Sequence, residues 1–272
     1  MRGLLAVAVR ELRERWLLFP AAVVFGFNPL VFPAFGVDRQ VMPLVGVATS
    51  VGLGAAAAVV IGSAMLARDA ANGRLGFLFS RPLSWPTIWG GKWLAALLLV
   101  TITGVLAAIP FMAVYPPRHG GPWVGVLADG RGWAFFICLF VLVVGLTNFV
   151  ATAFRSRSPW LVLDMVLAGA GLWIARHYVA PLWRYGIVGR GGWAVAAALV
   201  PLALALFAGS AAQAAVGRTD VRRAHGAMSF VFWAVVGLTL AGAAGYWQWV
   251  RSAGPADVKV QALTRDPAGR WV

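Results

Sequence analysis

Apolar runs of eighteen or more residues recur along this chain, and each is long enough to cross a hydrocarbon core of about 30 Å as a helix. A backbone inside lipid has no water to bond, so it must satisfy its own N–H and C=O groups, which a helix does within one segment. The runs place spans near residues 16–36, 42–66, 93–115, 133–153, 159–176, 193–215 and 229–249. Composition agrees: 61% of the residues are hydrophobic and 12% charged, against roughly 45–50% and about 25% in a soluble domain. Such a chain cannot cover an ordinary core with a polar surface, and the expected fold class is an all-α polytopic membrane protein.

The net charge of +14 has a membrane explanation. The arginines cluster in the short segments between apolar runs, where they anchor helix ends and attract anionic headgroups. No soluble segment interleaves basic residues with aromatics, which argues against nucleic acid as a partner. Cys138 is the single cysteine and reads as a small packing residue with no disulfide or metal role. Residues 1–15 read as an amphipathic interfacial helix with Leu5, Val9, Leu12 and Trp16 on the apolar side and Glu11 and Arg15 as an i,i+4 pair. The apolar run that follows is too long for a signal-peptide core, so the N-terminus is expected to remain uncleaved.

Orientation follows from the basic residues. With the N-terminus inside, the cytoplasmic segments hold the arginines of 1–15, then Arg68, Arg74, Arg81 and Lys92, then Arg155 and Arg157, then Arg218, Arg222 and Arg223. The short outer loops hold about half as many, which favours a cytoplasmic N-terminus. The tail 250–272 adds four basic residues outside and narrows the margin. Seven spans put that tail on the extracytoplasmic side, where its polar composition and Asp266-Pro267 turn suggest the start of a further domain.

The most informative stretch is the cytoplasmic loop 68–92. Leu75, Leu78 and Phe79 fall at i, i+3, i+4, so a short helix here displays an apolar face outside the membrane. Arg81-Pro82 ends it, because the residue before proline avoids the helical region. Ser84 then caps the next span, with Pro86 in its first turn. Two readings of the helix stay open on the residues alone. It lies on the lipid surface with Arg74 and Arg81 on phosphates, or it docks in a partner groove.

The run Gly73-Arg74-Leu75, Phe77-Leu78-Phe79-Ser80-Arg81-Pro82-Leu83-Ser84, Ile88 and Gly91-Lys92, preceded by Asp69, resembles the cytoplasmic loop of ABC-2-type permeases. The order of parts is similar too: an interfacial helix, two spans, this loop, then four more spans, over about residues 1–216. Arg74 departs from the family's pattern, which has a small hydroxyl residue there, and the span at 229–249 with its tail is an addition. The resemblance implies a six-helix ABC-2-type core over 16–216, a seventh transmembrane helix over 229–249 and a short extracytoplasmic tail. It implies a permease subunit of an ATP-driven exporter in the plasma (inner) membrane, paired with a second copy or homologue. Two separate ABC ATPase subunits would bind ATP and magnesium, so this chain itself needs no cofactor, metal or catalytic residue. The coupling loop would then comprise Asp69, Gly73, Arg74, Leu75, Phe77, Leu78, Phe79, Arg81, Pro82 and Lys92.

Other signals are weaker. Gly90-Gly91-Lys92 is not a phosphate loop, since Pro86 and Trp93 stand where that motif needs glycine and a hydroxyl residue. Ser50, Gly54, Ala58 and Gly62 place small residues on one face of the second span, which reads as packing within the subunit ahead of a dimer seam. Asp164 is the one acidic residue inside a span, about 9 Å from its start, and a pair with Arg155 or Arg157 is favoured over a role in transport. His119, His177 and His225 fall in loops, too far apart to suggest a metal. No Ser–His pair, aspartate pair or His-Glu-x-x-His motif marks an intramembrane protease. A secondary transporter, channel or scaffold without an ATPase is the alternative, with only Asp164 in its favour.

Overall fold

The computed structural model describes residues 2–36, 42–66, 68–69, 72, 83–114, 130–180, 192–216 and 220–252. Within them the ordered elements are all helical: α1 (Arg2–Glu14), α2 (Leu18–Gly26), α3 (Asn28–Val31), a 3₁₀ turn (Phe32–Phe35), α4 (Met42–Met65), α5 (Trp85–Val114), α6 (Gly130–Ser156), α7 (Trp160–Ile174) with a π-helical extension (Ala175–Val179), α8 (Gly192–Val216) and α9 (Val221–Ser252). Six of these are long and apolar enough to cross a membrane: α4, α5, α6, α7 with its extension, α8 and α9.

The first expected span departs from a single helix. Residues 18–35 form three pieces, α2, α3 and the 3₁₀ turn. Pro29 and Pro33 are the cause, since neither has an N–H to donate to the preceding turn. The segment closes on Gly36 at φ +80°, the left-handed conformation that glycine adopts without strain. The broken segment still runs alongside α5. A Cβ on Gly26 would lie 2.6 Å from the Ala107 carbonyl oxygen, and Ala107 sits about 22 Å along α5 from Lys92 at 1.5 Å per residue.

The core lies where α4, α5, α6 and α8 meet. Ala57, Ile61 and Met65 of α4 pack with Ile88, Ala96 and Leu99 of α5, Phe140 and Val144 of α6, and Ala214 of α8. Small residues set the closeness of this packing. Ser50 Oγ donates to the Gly104 carbonyl at 2.7 Å, and a Cβ on Gly62 would fall 2.7 Å from the Val144 carbonyl oxygen. The small-residue face of α4 therefore packs inside the subunit, as expected. Trp89 and Trp93 both donate to Ser210 Oγ, at 3.0 and 3.1 Å, and stack edge-on around Phe207. The span containing α7 is peripheral: 6% of it is buried inside the subunit, against 44% of the span in α5. Its exposed Val162, Met165, Val166 and Leu172 suit a lipid environment.

The start of α9 differs from expectation, while α5 extends beyond the span at 93–115 to the start that Ser84 and Pro86 mark. Both begin earlier than their apolar runs, at Trp85 and Val221, because polar residues continue the helix beyond the hydrocarbon-length window. This moves His225 from a loop into α9, where it is fully buried. His177 likewise lies in the helical extension of α7, with Nδ1 2.9 Å from the Trp173 carbonyl.

Candidate functional site

Among the described residues four charged side chains are buried, Glu11, Asp69, Lys92 and Asp164, and they form two nodes. Lys92 lies on the most enclosed stripe of α5, with Ile88, Ala96, Leu99 and Thr103 at helical spacing, all 3% exposed or less. A lysine there must be paired. Asp69, just beyond α4, accepts from Lys92 Nζ at 2.6 Å. Glu11 of α1 accepts through Oε1, and its other oxygen lies 3.3 Å from Arg15. Two ammonium or guanidinium groups thus meet two carboxylates, and the node is neutral.

Glycines make this geometry reachable. A Cβ on Gly91 would be 2.8 Å from the Leu4 carbonyl oxygen, and one on Gly90 3.3 Å from Leu4 Cδ1. The Gly90-Gly91 step lets the α1 backbone touch α5, which brings Glu11 to Lys92. The face that α1 turns inward is Val7, Ala8 and Glu11. Leu5, Val9 and Trp16, expected on one apolar side, point outward at 55–61% exposure. Leu12 alone of that set packs on the core. The helix has apolar residues on two sides, and the one carrying a carboxylate is the one buried.

Asp164 is the second node, and its partners differ from expectation. They are His225, Ser229 and Trp233, spaced every four residues along one face of α9, and not Arg155 or Arg157. His225 Nε2 lies 2.8 Å from Oδ2, Ser229 Oγ donates to Oδ2 at 3.2 Å, and Trp233 Nε1 donates to Oδ1 at 2.8 Å. The other ring nitrogen of His225 is 2.8 Å from Ser156 Oγ at the end of α6. Gly226 leaves space for Trp160, whose Nε1 would be 2.9 Å from a Cβ there.

A serine–histidine–aspartate chain is therefore present that no sequence spacing announced. Ser156 is committed structurally within it. Its Oγ also lies 2.9 Å from the Ala153 carbonyl and accepts from the Ser158 N–H at 3.2 Å, and the residue is buried. With neutral His225, the Ser156 hydroxyl donates to Nδ1. With the imidazolium, Nδ1–H donates to Ser156 and the hydroxyl turns to Ala153. Either arrangement satisfies every group and ties the α6–α7 turn to α9.

Of the residues expected in the coupling loop, Asp69 and Lys92 are brought together. Gly73, Arg74, Leu75, Phe77, Leu78, Phe79, Arg81 and Pro82 lie outside the described residues, as do the tail from residue 253 and His119. Ser84 precedes α5 as expected, its Oγ 2.8 Å from Thr87 Oγ1. Glu11 is the member of this node that the sequence assigned only to its local partner Arg15. Among the described residues, no three His, Cys, Asp or Glu side chains converge as a metal site. Comparison with family models, curated proteins and solved structures gives no match.

Proposed function

We propose that this chain is the membrane-spanning subunit of an ATP-driven exporter of the ABC-2 type, paired with a second permease and resting on two separate ATPase subunits. One observation carries the reading. Asp69 and Lys92, the charged residues that bracket the family-like loop, are bonded to each other and to the interfacial helix through Glu11. A displacement of the loop by a partner would reach α1 and α5 together through that node. Rigid-body switching biased by a ligand on another chain needs such a connection. In this reading the broken segment 18–35 counts as a seventh crossing. The N-terminus is then cytoplasmic and the C-terminus extracytoplasmic in the plasma (inner) membrane, as the arginine distribution favours.

The test is the loop itself. The double change Leu78→Asp with Phe79→Asp should leave membrane insertion intact and abolish co-purification of a soluble ATPase, or leave its hydrolysis uncoupled from transport. Arg81→Glu should make any remaining association salt-dependent. Wild-type co-purification and transport by the double variant would overturn the proposal. Topology is checked separately in a Cys138→Ala background. Ala253→Cys should label from outside and Asn72→Cys only after permeabilisation, and the reverse pattern would refute the orientation.

A further inference from the structure

At the end of the bundle that carries α1, an open cleft of about 790 Å³ is lined by Arg68, Arg155, Arg157 and Arg222, with Asn72 and Phe154 beside them. Four guanidinium groups share it, and none has an ion-pair partner among the described residues. Two acids stand close in sequence: Asp69, next to Arg68, is bonded to Lys92, and Asp220 is engaged by the backbone N–H groups of Arg222 and Arg223 and by the Arg223 side chain. Arg157 holds φ at +45°, a left-handed conformation unfavourable for a residue with a Cβ. The cleft thus retains like charges and a strained turn with nothing among the described residues to compensate them.

A second, apolar groove of about 440 Å³ adjoins the first and shares Arg222 with it. Its other walls are Ser158, Trp160, Val216, Gly226 and Ala227, with Arg223, held to Asp220, at its edge. It lies at the ends of α7 and α9, whose outer faces continue as exposed Val162 and Phe230. A cationic cleft joined to an apolar groove that leads onto a lipid-facing surface fits a molecule with an anionic head and a hydrocarbon tail.

We propose that this double site binds one anionic phospholipid of the surrounding leaflet, with its phosphate among the four arginines and its upper acyl chain along Trp160 and Gly226. Arginine's planar fork suits phosphate oxygens, and a bound phosphate relieves the repulsion among the guanidinium groups. The groove decides for a lipid over a free phosphate compound, which would use only the arginines. Selection between lipids follows from charge: a zwitterionic headgroup brings its own cation into a cleft that already holds four. The site does not depend on the transporter reading and stands if that reading fails.

The experiment uses the full chain in nanodiscs of phosphatidylcholine containing increasing phosphatidylglycerol, with bromine on the acyl chains of one lipid at a time. Quenching at Trp160 is read as the difference between the wild type and Trp160→Phe. Brominated phosphatidylglycerol should quench this signal at a lower mole fraction than brominated phosphatidylcholine. Arg155→Gln with Arg222→Gln, both on exposed side chains, should raise the half-saturating fraction by roughly five-fold or more. Arg251→Gln, on the opposite end of α9, should not. Retained lipid counted by native mass spectrometry should fall in parallel. Equal quenching by the two lipids would overturn the proposal, as would selectivity that survives the double arginine variant. Displacement of the lipid by millimolar glycerol phosphate would assign the cleft to a soluble phosphate compound and likewise overturn it.

Discussion

Lys92 and Asp164 are both charged residues enclosed by an apolar bundle, and they are satisfied in opposite ways. Lys92 faces full counter-charges delivered by two other segments, α1 and the residues after α4. Asp164 faces oriented donors, three of them from a single face of α9. Attraction between charges falls only as the inverse of distance, so the Lys92 node persists when its segments shift by an ångström. Hydrogen bonds weaken steeply with angle and stretch, so the Asp164 node holds its helices in one arrangement. The first suits a joint between moving parts and the second a weld. The joint lies at the loop that resembles a coupling element, and the weld fastens the peripheral α7 to the bundle.

The largest effect should come from breaking the joint on one side. Lys92→Met leaves Glu11 and Asp69 buried without their shared cation, a loss of about 3–5 kcal/mol by analogy with other broken buried pairs. Little folded protein should survive size-exclusion chromatography. Adding Glu11→Gln and Asp69→Asn to Lys92→Met removes the stranded charges and should recover much of the yield. On the proposed transporter function, coupling should not recover with it, so folded protein with restored transport would show that the node only fills space.

A smaller effect is expected at the weld. Asp164→Asn keeps one acceptor but turns an amide donor toward donors, which should lower stability by about 1–3 kcal/mol, read as a drop in Tm in detergent. Transport per folded molecule should change less than yield. Wild-type yield with abolished transport would make Asp164 a pathway residue and erase the contrast between the two nodes. The smallest effect should be Trp233→Phe, which deletes one of three donors and retains the ring packing against Phe232, about 1 kcal/mol. If it matched Asp164→Asn, the carboxylate would depend on that indole alone.

Some of the site was legible and some was not, for reasons visible at particular residues. Asp69 and Lys92 were both singled out, but as loop residues that would meet a partner chain. Their contact with each other depends on α1, and α1 approaches because Gly90 and Gly91 leave no side chain in its way. In the sequence those glycines read as a rejected phosphate-loop motif and, for Gly91, as part of the family-like Gly91-Lys92 pair, neither of which points to α1. For Asp164 a usable signal did exist: His225, Ser229 and Trp233 form a polar stripe at four-residue spacing in an apolar stretch. Starting the last span at residue 229 cut His225 out of it, since a hydrophobic window ends where polar residues begin, whether or not the helix does.

By itself the sequence determined the helical class with membrane-length apolar helices, the approximate bounds of six of the seven expected spans, the Glu11–Arg15 pair, the Ser84 start of α5 and the inward packing of the small-residue face of α4. Each of these is set by periodicity, by apolar length or by neighbours within one or two turns. The tertiary structure alone decided which side of α1 turns inward and which groups meet Lys92 and Asp164. Both charged nodes join residues more than twenty positions apart. A lysine or aspartate in a low-dielectric interior must find partners, and the sequence states that need, but which partner is near enough is a matter of how helices pack.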